Sequence, residues 1–228
     1  MDWTNKYKKA ITFSYDDGVE QDLRLLDILN EYKLKATFNL NTGLDDKSDS
    51  WIYKERLEVK RLNLEKSKDA YMGHEIAVHT LTHPNLCALD NEAMERELLG
   101  DRENIERIFG VKPTGMAYPY GAYSDRVVDK LRQYEFKYAR CVESSYNFDV
   151  QDNLLVFKPT CHHDDERLFE LAERFLKMDT DKPQIFYVWG HAYEFEGNNN
   201  WDRLEKFCKL ISGRDDIFYG TNEEVLLS

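Results

Sequence analysis

The sequence predicts an α/β domain built on a parallel sheet of about seven strands, either closed into a barrel or open. Short apolar runs typical of buried strands alternate with longer segments whose apolar residues recur at helical spacing. The length of 228 residues suits one hydrophobic core of this class. The sequence shows no linker, internal repeat or low-complexity tract. We therefore expect a single domain over residues 1–228.

The first half of the chain alternates strand and helix until a charged segment interrupts it. The strand KAITFSY ends in the turn Asp16-Asp17-Gly18, and the helix DLRLLDILNEY and the strand KATFNLN follow. Residues 45–70 are charged and show few signals of strand-like alternation, so we interpret them as an insertion with a short helix, a candidate lid or rim of a site. The strand HEIAVH and the long helix NEAMERELLGDRENIERIFG come next.

The second half continues the alternation to the end of the chain. The strand TGMAYPYG runs into a turn, SDRVVDKLRQY is helical, and KYARCV and NLLVFKPT are extended. The helix DERLFELAERFLKM, the strand QIFYVWGH, the helix NWDRLEKFCKLIS and the strand DIFYG complete the order. In parallel α/β folds the chemistry gathers at the carboxyl ends of the strands. Functional residues are therefore expected just after these strands.

Composition narrows the partners and the compartment. The 43 acidic and 31 basic side chains give a net charge of -12, which repels phosphate backbones and anionic headgroups. We expect no nucleic-acid or membrane partner, and a small-molecule or oligosaccharide ligand remains possible in either neutral or cationic form. No apolar run is long enough for a membrane span or signal peptide, so a cytoplasmic protein is expected. Oligomeric state is left open.

The cysteines indicate no metal or disulfide framework. The four of them are scattered without a CxxC pair, which favours reduced and partly buried thiols.

Carboxylates and imidazoles follow separate predicted strands. Asp16 and Asp17 follow the first strand, and His79 and His83 follow the third. Two histidines one helical turn apart can bind one zinc ion, and a carboxylate as third ligand leaves a position for water. Each of the two residue pairs also has an explanation without a metal, because Asp-Asp-Gly is a common turn sequence and a single HxxxH pair is a weak signal. Together they indicate a metal site.

Two further histidine groups stand at predicted strand ends. His191 ends an apolar strand and could protonate a leaving group near neutral pH, or could be a packed histidine bonded to backbone. The segment CHHDD, residues 161–165, is metal-like in composition. Its alternative explanation is that Asp164 and Asp165 cap the helix that follows.

Four segments together resemble the polysaccharide deacetylases, carbohydrate esterase family 4, which share the homology domain of nodulation chitooligosaccharide deacetylases. TFSYDDG is similar to the first motif of that family and GHEIAVHTLTH to the second, which is highly specific. AYPYG resembles the third motif and VWGH the last. The motifs stand in family order over residues 9–191.

The resemblance implies a polysaccharide deacetylase-like distorted (β/α) barrel of about seven parallel strands. It also implies a divalent metal held by Asp17, His79 and His83, most often Zn²⁺, with Co²⁺, Ni²⁺ or Mn²⁺ as alternatives. The implied activity is removal of N-acetyl or O-acetyl groups from a carbohydrate by attack of water activated at the metal.

The same resemblance assigns roles to residues beside the metal. Asp16 would be the general base for the attacking water, and His191 the general acid for the departing amine. The backbone N–H of Tyr120 would join the metal in holding the oxyanion, a task for which preformed donors are well suited.

The chain departs from the family pattern at two places. The arginine of the third motif is replaced by Ala117. We hypothesise that Arg140, at the end of the next strand, supplies a guanidinium to Asp16; the alternative is a surface ion pair. No match to the fourth motif, an aspartate that tunes the acid histidine, stands between Ala139 and Val150. Its replacement could be Glu143, Asp149 or Asp164.

These departures keep two other functions open. One is a metal-dependent hydrolase of a non-sugar C–N bond, such as that of a cyclic imide or ureide. The other is a carbohydrate-binding relative without turnover, although a degenerate site should have lost some of its carboxylates and imidazoles.

Overall fold

The structure, a computed structural model, describes residues 2–44 and 49–227. Eight strands form one parallel sheet, in the order β7-β6-β5-β2-β1-β9-β8 with β10 beside the first part of β1. Two further strands, β3 and β4, form a separate antiparallel hairpin. The strands are β1 (Lys9–Asp16), β2 (Ala36–Leu40), β3 (Ser50–Tyr53), β4 (Leu57–Lys60), β5 (Glu75–Val78), β6 (Gly115–Ala117), β7 (Tyr138–Arg140), β8 (Cys161–His162), β9 (Gln184–Gly190) and β10 (Ile217–Tyr219).

The two edges of the sheet are joined by the chain that leads into β8. Phe157 N donates to Ala139 O of β7 at 2.9 Å, and Thr160 N donates to Tyr187 O of β9 at 2.8 Å. This segment therefore bonds to both edge regions and curls the sheet into a distorted barrel. The predicted parallel α/β barrel of about seven strands is confirmed.

Eight helices accompany the sheet within the described residues. Their apolar residues recur at spacings of three and four, as in α1, where Leu25, Leu26 and Leu29 are buried against the sheet. The helices are α1 (Asp22–Glu31), α2 (Leu64–Ser67), α3 (Asn91–Phe109), α4 (Asp125–Gln133), α5 (Leu168–Lys177), α6 (Ala192–Asn198), α7 (Trp201–Ile211) and α8 (Asn222–Leu226). None that the structure describes is both long and apolar enough to cross a membrane.

The predicted insertion contains more structure than its sequence indicated. Residues 45–48 lie outside the described residues, and the remainder forms the β3–β4 hairpin and the short helix α2. The hairpin was not predicted because each strand has only four residues: β3, SWIY, does not alternate, and the alternation in β4, LEVK, is very short. It lies beside the carboxyl ends of β1 and β5, so it becomes part of the site.

The last part of the fold also differs from the sequence prediction. NLLVFKPT, predicted as extended, begins with a 3₁₀ turn at Leu154–Val156, and only its end bonds to the sheet. Helices α6 and α8 were not predicted, because each is too short to show a full apolar period. The amino-terminal mouth of the barrel is closed by α8, where Thr12 Oγ1 donates to Asn222 Oδ1 at 2.9 Å.

Candidate active site

Three side chains from two strand ends converge at the carboxyl mouth of the barrel. His79 Nε2 lies 3.9 Å and His83 Nε2 3.8 Å from Asp17 Oδ1, and one ligand atom from each residue lies within 4.8 Å of the others. Asp17 and His83 adopt left-handed backbone conformations with φ of 86° and 57°. Such strain in residues other than glycine is a frequent feature of functional sites. The structure thus brings together the side chains that the sequence singled out.

The hydrogen bonds at these residues leave metal-binding atoms free. His79 Nδ1 lies 2.8 Å from Ala117 O. A carbonyl can only accept, so Nδ1 carries the proton and Nε2 keeps its lone pair, as in histidines that bind metals. Asp17 Oδ1 is buried and accepts no hydrogen bond, although Arg61 Nη1 lies 3.2 Å away. A carboxylate and two imidazoles are a donor set that fits Zn²⁺.

Asp16 has a separate set of partners. Its Oδ1 accepts from Asn39 Nδ2 at 2.8 Å, and its Oδ2 forms an ion pair with the Arg140 guanidinium. Arg140 is fully buried and stacks on Trp189, with Cζ 4.4 Å from the ring centroid. Burial alone would raise the pKa of Asp16, but Arg140 and the neighbouring histidines lower it below its ordinary value. Arg140 is therefore no surface ion pair, and the carboxylate beside it is ionised at neutral pH.

The insertion contributes an arginine that sequence reasoning missed. Arg61 contacts Asp17, donates through Nε to Asp49 Oδ2 at 2.9 Å, and donates through Nη1 to Asn41 Oδ1 at 3.0 Å. Its guanidinium also lies over the Trp51 ring, 4.9 Å from the centroid. Nothing in the spacing of Arg61 indicated that the insertion returns to the first strand.

A cleft of about 410 Å³ opens above these groups. Asp17 and His83 line it together with aromatic rings from three different segments. Tyr120 is left-handed with φ of 58° in the turn Pro119–Gly121, and its ring lies 4.6 Å from that of His83. The lining residues are Asp17, Leu44, Asp49, Trp51, Arg61, Thr82, His83, Tyr120 and Tyr193.

His191 also faces the two aspartates. Its Nε2 lies 4.0 Å from Asp16 Oδ2 and 3.9 Å from Asp17 Oδ2, and its Nδ1 lies 3.3 Å from Glu194 Oε2. Burial would lower the pKa of His191, but Glu194 and the two aspartates raise it to about 9. The imidazole of His191 is therefore protonated at neutral pH.

The carboxylate against His191 is Glu194, not one of the three that the sequence suggested. Glu143 pairs with Lys158 at 2.8 Å, and Asp149 accepts from Gln184 Nε2 at 3.0 Å. Asp164 accepts from the side chains of Asn198 and Asn200. The alternative explanation that Asp164 and Asp165 cap the next helix is wrong, because α5 begins after Arg167 without a side-chain cap. Asp165 Oδ1 instead accepts from the backbone N–H of Arg167 at 2.9 Å.

The comparison with known families identifies the class of protein that this fold and site belong to. The polysaccharide deacetylase family model matches residues 4–139, more than half of the chain. The chain belongs to the polysaccharide deacetylase family.

Two of the similar proteins are named as deacetylases. The chain is 32% identical over 125 residues to a chitooligosaccharide deacetylase of Rhizobium leguminosarum bv. trifolii, covering 54% of this chain and 51% of the relative. It is 28% identical over 130 residues to the peptidoglycan-N-acetylglucosamine deacetylase of Bacillus cereus, covering 52% and 42%. The matches therefore span about half or less of these relatives.

Solved structures show the same fold. The family 4 carbohydrate esterase from Streptomyces lividans, in complex with acetate, aligns with a TM-score of 0.60 at 16% identity, covering 94% of this chain and 93% of that one. The peptidoglycan deacetylase PdaC from Bacillus subtilis aligns with a TM-score of 0.58 at 18% identity, covering 96% and 90%.

Proposed function

We propose that this chain is a divalent-metal-dependent hydrolase that removes acetyl groups from an N-acetylated or O-acetylated carbohydrate. The observation that carries the proposal is the meeting of Asp17, His79 and His83 beside a second carboxylate, that of Asp16, which is held by other partners. Two adjacent aspartates with separate partners can serve separate tasks. Family membership supports a deacetylase, and the residue roles are our assignment.

Asp17, His79 and His83 would hold the metal, with Zn²⁺ the best match to their donor atoms. When bound, such an ion acts as a Lewis acid and lowers the pKa of a bound water to about 7. The protein contributes the fixed imidazole tautomer, set for His79 by the carbonyl of Ala117.

Asp16 is suited to be the general base. Asn39 and Arg140 fix its carboxylate. Its lowered pKa keeps the carboxylate ionised, so that it can accept a proton from the attacking water. His191 faces the same space with Nε2 and would give a proton to the departing nitrogen. The backbone N–H of Tyr120 would donate to the developing oxyanion; one such donor typically contributes about 3 kcal/mol.

The walls of the cleft favour a sugar. The rings of Trp51, Tyr120 and Tyr193 line it and can stack on pyranose faces. The net charge of -12 disfavours a polyanionic substrate. The names of the relatives point to acetylated glucosamine polymers, and a short neutral oligosaccharide fits a cleft of this size.

Metal content and acetate release together test the proposal. Protein purified without chelator should carry one divalent ion per chain by elemental analysis and should release acetate from chitooligosaccharides. Asp17→Asn and His79→Ala should lose the ion and the activity, whereas Asp16→Asn should keep the ion and lose at least a hundredfold in kcat.

His74→Ala is the matched control, because His74 lies at the other end of β5 and accepts from Ala36 N. It should retain both metal and activity. Absence of a bound ion in the parent protein, or acetate release that survives removal of the ion, would contradict the proposal.

A further inference from the structure

Three imidazoles surround one carboxylate oxygen behind the proposed active site. Glu194 Oε2 lies 3.0 Å from His162 Nε2, 3.2 Å from His163 Nε2 and 3.3 Å from His191 Nδ1. It also accepts from the backbone N–H of His191 at 3.1 Å. Half of the histidines of the chain, three of six, thus point at a single oxygen.

Two segments build this cluster. His191 is the N-cap of α6, and Glu194 stands three residues further along, where its carboxylate accepts from the backbone N–H of His191 and so stays close to the His191 imidazole. His162 and His163 arrive from β8. Gly190 makes room for them, because a Cβ there would stand 2.1 Å from His163 Nδ1.

The spacing of His162, His191 and Glu194 would also suit a metal ion, but the tautomer of His162 argues against it. His162 Nδ1 accepts a hydrogen bond from the backbone N–H of Asp164 at 3.2 Å. The proton of the neutral ring is therefore on Nε2, the atom that faces Glu194. A metal-bound histidine has the reverse arrangement, as His79 does with its Nδ1 proton on a carbonyl.

We infer that Glu194 is the positioning residue of His191 and that His162 and His163 hold the Glu194 carboxylate in place. A carboxylate oxygen only accepts, so Glu194 Oε2 at 3.3 Å favours the tautomer of His191 with its proton on Nδ1, and Nε2 faces Asp16 and Asp17. His162 Nε2 lies 3.0 Å from the same oxygen, and the His163 ring contacts the rings of Tyr15 and Phe195.

The inference rests on the proposed function, since it gives His191 the task of protonating the leaving nitrogen. A role in proton delivery predicts an effect that depends on the leaving group. An amine must be protonated as it departs, whereas the phenolate of 4-nitrophenyl acetate leaves without a proton. A purely structural role of Glu194 would affect both substrates alike.

The experiment compares Glu194→Gln with the parent protein on chitooligosaccharide and on 4-nitrophenyl acetate, after loading with zinc. We expect kcat on the amide to fall at least tenfold with KM within about twofold, and turnover of the ester to stay within about twofold. In a His191→Ala background the same substitution should add less than about twofold, because its effect acts through His191. Glu196→Gln, an exposed change on the same helix, is the control and should leave both rates unchanged.

Three results would overturn the inference. One is an equal loss on both substrates, and another is a full additional loss in the His191→Ala background. The third is a second zinc equivalent per chain that Glu194→Gln removes, since the cluster would then be a metal site. If His191→Ala itself left amide turnover unchanged, the proposed acid would be wrong. If His191→Ala lowered amide turnover and Glu194→Gln left it unchanged, only the role of Glu194 would be refuted.

Discussion

At the scale of single residues, the buried pair of Asp16 and Arg140 is the most consequential contact that the motifs did not contain. The guanidinium comes from β7, where Arg140 is the register partner of Ala117 on the neighbouring strand β6. Removing one member of a buried ion pair leaves the other charge without compensation, which costs about 3–5 kcal/mol of stability. It would also leave the proposed base without the partner that holds it.

Arg140→Met tests this contact while keeping most of the packing on Trp189. We expect the free energy of unfolding to fall by about 3 kcal/mol and kcat to fall at least tenfold, with metal content unchanged. Urea unfolding, steady-state kinetics and elemental analysis measure the three effects. Arg174→Met, an exposed arginine that also stacks on a ring, is the control and should change none of them. Unaltered turnover in Arg140→Met would show that Asp16 does not depend on the guanidinium.

The site residues that were predicted from the sequence stand at the ends of predicted strands, whereas the residues that were missed do not. Asp16, Asp17, His79, His83 and His191 each follow a predicted strand, so the carboxyl edge of a parallel sheet brought them to one place. Their roles remain proposals. Glu194 was missed because it lies on a short helix without a visible period, where its distance from His162 depends on the path of β8. Arg61 and Asn39 were missed because a charged insertion and an alternating strand give no signal of where they meet Asp17 and Asp16.

At the scale of elements, the β3–β4 hairpin is held over the cleft by α6. Tyr53 and Trp51 pack against Tyr193 with ring centroids 5.1 Å and 5.3 Å apart. Gly197 permits the contact, since a Cβ there would stand 2.3 Å from Tyr53 Cδ1. The sequence predicted a candidate rim at residues 45–70 but no strands, because each strand has only four residues and the short alternation of LEVK is not a clear strand signal within a charged segment.

Gly197→Ala should therefore displace the hairpin while leaving the metal ligands in place. Loss of one aromatic wall contact, about 1 kcal/mol, predicts a rise in KM for chitooligosaccharide of about fivefold, with kcat and metal content unchanged. Tyr53→Ala removes the ring that the new methyl would strike. In that background Gly197→Ala should have no further effect on KM, and additive changes would mean that the hairpin does not act through this contact.

At the scale of the whole molecule, the two mouths of the barrel have opposite characters. The carboxyl mouth carries charged groups around a cleft, whereas the amino mouth is closed by α8 and by a partly buried hydrogen-bond network. Glu75 belongs to that network and accepts from Tyr138 Oη at 2.6 Å, Thr37 Oγ1 at 2.7 Å and Glu223 N at 2.9 Å. Burial raises the pKa of Glu75 to about 7 despite these donors. Periodicity could predict the barrel, but not an acid group whose neutral form is preferred inside its closed end.

This raised pKa predicts how stability changes with pH. The unfolded chain releases the proton of Glu75 near pH 4.5, whereas the folded chain keeps it until about pH 7, so the stability contribution is present below about 4.5 and is lost as pH rises toward 7. Glu75→Gln removes this dependence. The difference in unfolding free energy between variant and parent should therefore shift in favour of the variant by about 3 kcal/mol between pH 4.5 and 7, at about 1.4 kcal/mol per pKa unit. Urea unfolding at intervals across that window measures the shift, and Glu103→Gln, which changes an exposed acid on α3, should give a curve parallel to that of the parent. Parallel curves for Glu75→Gln and the parent would mean that Glu75 is ionised in the folded protein, with its three donors outweighing burial.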